Sequence, residues 1–420
     1  MANNIYNVNS LGSATGAVTL TDDGTGIDWL TITGSFPTYT SINLEYTYAQ
    51  DGTATSAWGR FDTAGPPATT TLRINGIIEN VRGSDTTDFI GGNHANNLIY
   101  GDAASTGVGG SDTINGDYGD DTIYGGSGAD NLLGAGDNDL LFGNAGADSI
   151  NGNGGVDVIN GGLGSDSLSG GGQSRDRVTY SDSNAGVKVL INFGTTTTAT
   201  GGHAQGDQIN GFTDVTGSDF RDVITDAVAG TVAFGYNANR FYGGDGKDTL
   251  TLGGGKDRGY GGAGDDVVDG GIGRDDCHGD DGADRLYGGQ DNDSLSGGAG
   301  KDRIIGDAGL DHLEGGKGAD TFIYRSWVDS AATKAGRDII ADFKQSEGDM
   351  IDLGKLDPAG APTAITFLGS AGFNGVSGAM RITVSDGNTL VTIDRDGDRD
   401  ADFSLKVLGV INLIEGDFLL

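Results

Sequence analysis

Over two stretches of the chain, residues 107–169 and 243–323, an apolar residue returns at every ninth position, surrounded by Gly, Asp, Asn and small polar residues. The first stretch holds seven nonapeptides, such as Gly125-Gly-Ser-Gly-Ala-Asp-Asn-Leu-Leu133, and the second holds nine, such as Gly243-Gly-Asp-Gly-Lys-Asp-Thr-Leu-Thr251. The rule is G-G-x-G-x-D-x-U-x, with U apolar. Position eight is Ile114, Ile123, Leu132, Leu141, Ile150, Ile159 and Leu168, then Leu250, Val268, Cys277, Leu286, Leu295, Ile304, Leu313 and Phe322, with Gly259 as the exception. Position four is Gly except at Asp137 and Asp291, and position two is Gly, Asn or Asp except at Val108 and Ala135. Those are the residues that accept positive φ at low cost. Each nonapeptide therefore predicts a six-residue turn followed by a three-residue strand. A fixed period of this length is the mark of a solenoid.

Position six is Asp in every repeat: Asp112, Asp121, Asp130, Asp139, Asp148, Asp157 and Asp166, then Asp248, Asp257, Asp266, Asp275, Asp284, Asp293, Asp302, Asp311 and Asp320. One apolar residue per short strand makes a core only when strands stack into a coil. With two repeats per turn, residues eighteen apart lie above one another, Asp248 over Asp266 and Asp257 over Asp275. Stacked carboxylates repel unless a counterion lies between them. Carboxylates and turn carbonyls in a flexible frame suit calcium better than magnesium, which demands a tight octahedron.

These repeats resemble those of the RTX, or haemolysin-type, family of calcium-binding secreted proteins. The resemblance implies a parallel β-roll with calcium held between neighbouring turns on each edge, and it makes the sixteen position-six aspartates the expected metal ligands. A disordered Gly/Asp segment would have no need of an apolar residue at every eighth place. With so little apolar surface per residue, folding and calcium binding are expected to be one event.

The formal net charge of the 420-residue chain is −35. Such acidity opposes nucleic acid as a partner and opposes an anionic membrane without bridging cations. The two blocks contain five and seven Asp pairs eighteen apart, so about a dozen calcium ions are expected. Twelve divalent ions would add +24 and leave −11. The single cysteine, Cys277, sits at an apolar position eight and reads as a packed thiol. Met1-Ala-Asn-Asn-Ile-Tyr6 lacks the basic region and apolar core of a cleavable signal peptide. No apolar run approaches a membrane span. Calcium sites of the weak extracellular type would stay empty in a cytosol, so export by another route is expected.

The expected fold class is all-β: two parallel β-roll blocks, flanking small antiparallel β units and a C-terminal β-sandwich-like cap. Residues 1–82, with alternating stretches such as Trp29-Leu-Thr-Ile-Thr33 and Ile42-Asn-Leu-Glu-Tyr-Thr-Tyr48, read as a small antiparallel unit. Residues 83–169 form the first roll, opened by degenerate repeats in which Asp88 with Ile90 and Asn97 with Ile99 keep the register. Residues 170–225 break the period and read as a connector insert; residues 226–323 form the second roll. The same entry pattern, Val81-x-Gly-Ser-Asp85…Asp88-x-Ile90 and Val215-x-Gly-Ser-Asp219…Asp222-x-Ile224, precedes both. Residues 324–420 return to alternating strands and resemble the C-terminal domain of serralysin-type metalloproteases. That resemblance implies a cap and an uncleaved signal for a type I secretion apparatus. Asp394-Arg-Asp-Gly-Asp398 reads equally as a further calcium loop or a solvated hairpin turn.

The protease itself is missing from the pattern: there is no H-E-x-x-H, and His94, His203, His278 and His312 are scattered singly. No Gly-x-Ser-x-Gly elbow is present. The expected function is a secreted calcium-binding protein of structural or adhesive role, in contact with acidic polysaccharide or the cell surface. A polysaccharide-modifying enzyme working through carboxylates alone is the alternative. A pore-forming toxin would need apolar helices that the chain lacks.

Overall fold

A computed structural model describes the backbone of strands Ile5–Val8, Val18–Thr21, Trp29–Ile32, Thr40–Tyr48, Ala54–Gly59 and Leu72–Asn75, and the full residues 80–83, 87–102, 109–172, 175–192, 194–227, 238–356, 365–410 and 412–420. The chain divides into two compact units, Met1–Val215 and Thr216–Leu420. Among the described residues the regular structure is strand, with three short 3-10 turns. Among the described residues no helix is long and apolar enough to cross a membrane.

In the first unit the strands stack in parallel with a register of eighteen. Ile114 faces Leu132, Leu132 faces Ile150 and Ile150 faces Leu168 in one sheet. Ile123 faces Leu141 and Leu141 faces Ile159 in the other. Successive nonapeptides thus feed opposite sheets, and two make one turn of the coil. Strand alternation sends position eight inward and its neighbours outward. The position-eight side chains are accordingly at most 2% exposed.

The second unit repeats the construction over Leu250, Val268, Leu286, Ile304 and Phe322 in one sheet, and Gly259, Cys277, Leu295 and Leu313 in the other. Here pairing runs beyond the three-residue strands. Strands such as Asp276–Gly282 and Ser294–Gly300 extend into the following turn, where Asp280 faces Gly298. The turns of successive coils run parallel and stack as well. Position-four N–H groups donate to position-three carbonyls of the next coil, as from Gly246 to Ala263 (2.6 Å) and Gly264 to Asp281 (2.7 Å). The expected left-handed dihedrals are present, at Gly262 (φ 103°) and Asn144 (φ 69°) among others, and Ala135 adopts the same conformation (φ 81°) despite its β-carbon.

The N-terminal strands correct one expectation. Trp29–Ile32 pairs in parallel with both Ile5–Val8 and Asn80–Arg82, and Thr40–Tyr48 pairs in parallel with Asp88–Gly91. Only Thr40–Tyr48 with Ala54–Gly59 is antiparallel among the pairs described there. The reason is continuity: these strands add to the ends of the coil's own sheets and inherit their direction. Strands Arg177–Thr179 and Gln208–Asn210 of the insert likewise belong to the coil. Val178 stacks on Ile159 and Ile209 on Leu168. Beyond the second block, Ile340 stacks on Leu313 and Ile351 on Phe322, before three antiparallel strands, Ala379–Ser385, Asn388–Asp394 and Phe403–Val407.

Candidate metal ladders

Each position-six aspartate ends a turn just before the chain enters its strand. All sixteen are at most 3% exposed. They stand in four columns: Asp112–Asp130–Asp148–Asp166 and Asp121–Asp139–Asp157 in the first unit, Asp248–Asp266–Asp284–Asp302–Asp320 and Asp257–Asp275–Asp293–Asp311 in the second. At every step the backbone N–H of one aspartate donates to Oδ1 of the next, at 2.7–2.9 Å. Those bonds make twelve steps, and they fix each carboxylate's plane.

The second oxygen is the informative atom. Oδ2 of every one of the sixteen is buried and accepts no hydrogen bond. A buried acceptor left unsatisfied costs ~1–3 kcal/mol, more when charged. It also points at a second oxygen. A β-carbon placed on Gly243 would lie 2.5 Å from Asp248 Oδ2 and 2.4 Å from the carbonyl oxygen of Gly261. The same pair of oxygens meets at Gly261 (Asp266 Oδ2 2.5 Å, Gly279 carbonyl 2.7 Å), Gly279 (Asp284 Oδ2 2.4 Å, Gly297 carbonyl 2.5 Å) and Gly116 (Asp121 Oδ2 2.2 Å, Gly134 carbonyl 2.8 Å). At these glycines a side chain would occupy the place where a carboxylate and a carbonyl of the next coil converge; Leu252, ahead of Asp257, is the one position-one residue that is not glycine. An array of oxygens facing one another without donors is the donor set of a hard cation.

Electrostatics agree with geometry. Burial, opposed by the backbone N–H and reinforced by neighbouring aspartates, pushes the carboxyls of Asp112, Asp121, Asp257 and Asp293 up to about 8. Asp139, Asp148, Asp248, Asp284 and Asp311 rise to about 7, and Asp130, Asp275, Asp302 and Asp320 to about 6. Asp157, Asp166 and Asp266 move in the same direction for the same first cause. Without a positive charge, the columns would hold protons near neutrality.

The columns run further than the sixteen. Asp88 donates its N–H to Asp112 Oδ1 and Asn97 to Asp121 Oδ1. Asp157 donates to Asp176 and Asp166 to Asp207, both inside the non-periodic insert. In the second unit Asp222 donates to Asp248, Asn239 to Asp257, Asp311 to Asp338 and Asp320 to Asp349. The available signal was Asp-x-apolar at a strand start, as in Asp176-Arg-Val178 and Asp349-Met-Ile351, once the glycine frame was ignored. At three column ends a protein donor meets the second oxygen: the Tyr180 hydroxyl at Asp207 (3.1 Å), the Ser218 N–H at Asp222 (2.5 Å) and the Lys344 N–H at Asp349 (2.7 Å).

The family model for the RTX calcium-binding nonapeptide repeat, four copies long, matches residues 106–141, 133–168, 235–259, 253–286 and 287–322. The chain carries RTX calcium-binding repeats. Comparison with curated proteins gives no match. Among solved structures, a subunit from the Azotobacter vinelandii mannuronan C5-epimerase is similar at 31% identity, over 37% of this chain and 78% of that one, with a TM-score of 0.20.

Other candidate groups stay separate from these RTX columns. His94 pairs with Asp117, His278 with Asp276 and His312 with Glu314, all near the surface, and His203 lies 3.8 Å from Asp182. No two histidines converge. Cys277 is wholly buried, and burial holds its thiol well above its usual range. In the loop after Asn388–Asp394, carboxylate oxygens of Asp394, Asp396 and Asp398 lie within 4.8 Å of one another. There Asp394 already accepts the N–H groups of Gly397 (2.6 Å) and Arg399 (3.0 Å), which fix the turn.

Proposed function

We propose that the four columns of position-six aspartates hold calcium between successive coils, and that the protein is a secreted scaffold which folds when extracellular calcium fills them. The observation carrying this reading is the row of buried Oδ2 atoms without donors, twelve of the sixteen converging with a glycine carbonyl oxygen of the next coil. Twelve hydrogen-bonded Asp-to-Asp steps within the repeats set the expected occupancy at about a dozen ions, the steps through Asp176, Asp207, Asp338 and Asp349 adding to it. The unfolded, metal-free chain passes a type I secretion apparatus, with residues 324–420 as cap and export signal, and acquires its fold outside. Its role is structural or adhesive, at the cell surface or in an exopolysaccharide matrix. The support is the array of repeats itself: among the described residues most buried aspartates serve the columns.

Equilibrium dialysis against calcium tests the occupancy. About twelve ions or more per chain fits the reading; one or two would overturn it. Deletion of residues 371–420 is expected to stop export, and undiminished protein in the medium would refute the secretion claim.

A further inference from the structure

The chain has 25 basic residues against 60 acidic ones, so several cations gathered around one space are unexpected. The ion pairs of Lys and Arg among the described residues of the second unit are Lys247 with Asp265, Arg258 with Asp276, Arg325 with Asp307 and Lys344 with Glu347, so it is the convergence of cations, not the lack of a partner, that sets a place apart. Arg285, Arg303 and Lys355 make no ion pair among the described residues, and they converge on one cleft of about 360 Å³. Arg285 and Arg303 are neighbours on the outer face of the coil, one strand apart in register, and Tyr287 and Ile305 lie beside each other in the next outward column. Ile305 and Ile323, only 4% and 3% exposed, form the floor. A fourth cation, Arg325, closes one side; Asp307 neutralises it through two contacts of 2.5 Å, and its guanidinium lies 5.4 Å from the centre of the Tyr287 ring.

Two features need a common explanation. The aliphatic stems of arginine and lysine readily shelter an apolar floor, but shelter does not require three cationic side chains to line one cleft. Like charges held together in a protein of opposite net charge mark a place for an anion, and arginine forks suit planar acid groups. A tyrosine with isoleucines beside it offers a flat apolar face of the size of a sugar ring.

We propose that the cleft rimmed by Arg285, Arg303 and Lys355 binds one acidic sugar unit of an anionic glycan, with the acid group on the cations and the ring against Tyr287. This deepens the matrix reading above and rests on it. The same chemistry is met in carboxylated and in sulfated glycans.

Isothermal titration of the full chain in excess calcium would use a hexasaccharide of a uronic acid, a sulfated oligosaccharide of equal length, a neutral hexasaccharide and inorganic sulfate. The comparison is between wild type, Arg285→Ala/Arg303→Ala/Lys355→Ala, and a control of equal charge change, Lys247→Ala/Lys256→Ala/Lys301→Ala. Circular dichroism confirms that each variant folds with the wild-type calcium midpoint. The expected result is binding of an acidic oligosaccharide, no binding of the neutral one, and about a tenfold or greater loss of affinity in the cleft variant alone, as for lost charge-assisted contacts. The preferred acidic probe identifies the acid group. Equal affinity in the cleft and control variants would overturn the cleft while leaving the matrix reading intact. No binding to the folded wild type would sink both. Inorganic sulfate competing as well as the oligosaccharide would reduce the cleft to a small-anion site and contradict the proposal.

Discussion

Leu252 fills the space that Gly259 leaves empty. Both depart from the rule in the same nonapeptide: Leu252 stands where the first glycine belongs, and Gly259 where the apolar core residue belongs. A β-carbon built on Gly259 would lie 3.2 and 3.4 Å from the two methyl carbons of Leu252 and 2.6 Å from a methyl of Val268. Leu252 is fully buried. The core position is thus filled from the other end of the same turn. Leu252→Gly should open a cavity and cost about 2–5 kcal/mol of calcium-loaded stability, the range of buried Leu truncations. Gly259→Leu should overpack against Val268. The double variant should recover part of the loss, and strictly additive effects in denaturant unfolding would show that the two residues do not compensate.

The position-one glycines carry a second expectation. Gly279→Ala puts a carbon 2.4 Å from Asp284 Oδ2 and 2.5 Å from the Gly297 carbonyl, at the place proposed for a cation. It should remove at least one ion in equilibrium dialysis and raise the calcium midpoint of folding. Gly372→Ala, with nothing within 4 Å of the added carbon, should match wild type in both.

The periodic parts of the fold were legible because a nonapeptide fixes turn, strand and inward residue together. The period named the sixteen aspartates, their stacking partners and the register of eighteen. It was silent where insertions lengthen a coil without breaking it. Asp207 follows Asp166 in its column after 41 residues, and Asp349 follows Asp320 after 29. In both, a loop leaves the coil and returns to the same edge, so Asp-x-apolar survives while the glycine spacing does not. The N-terminal strands misled for a related reason: alternation marks a strand with one buried face but not the direction of its neighbour. The stacking of Arg285 on Arg303 was implicit in the register of eighteen, but Lys355, from the non-periodic C-terminal segment, could not be placed beside them.

Asp302→Ala removes the acceptor of the Asp284 N–H and one carboxylate from the column that continues to Asp320. Calcium folding should need a higher concentration, with one or two fewer ions bound. A midpoint and stoichiometry equal to wild type would show that the column does not hold metal. Asp302→Asn keeps the shape and loses the charge, so it should resemble Asp302→Ala in ions bound.

Acidity should oppose calcium and favour the metal-free fold. Thirteen of the position-six carboxyls are raised from an ordinary 3.8 to about 6–8 by burial and the other three move the same way, so the folded metal-free chain holds protons that the unfolded chain has released. Its stability is therefore greatest at acid pH and falls as pH rises between about 4 and 8. Metal must displace those protons. In circular dichroism titrations the calcium midpoint should fall as pH is raised from 5.5 to about 8. A midpoint independent of pH would mean the carboxyls do not exchange protons for metal.

The central claim, that filling the aspartate columns and folding are one event, is tested most directly by far-ultraviolet circular dichroism at pH 7.5 in excess chelator and then in millimolar calcium. The prediction is a disordered spectrum in chelator, a cooperative change to strand on adding calcium, and no such change with magnesium at the same concentration. A strand spectrum in chelator identical to that in calcium would contradict it, because the buried oxygens would then be accommodated without a cation.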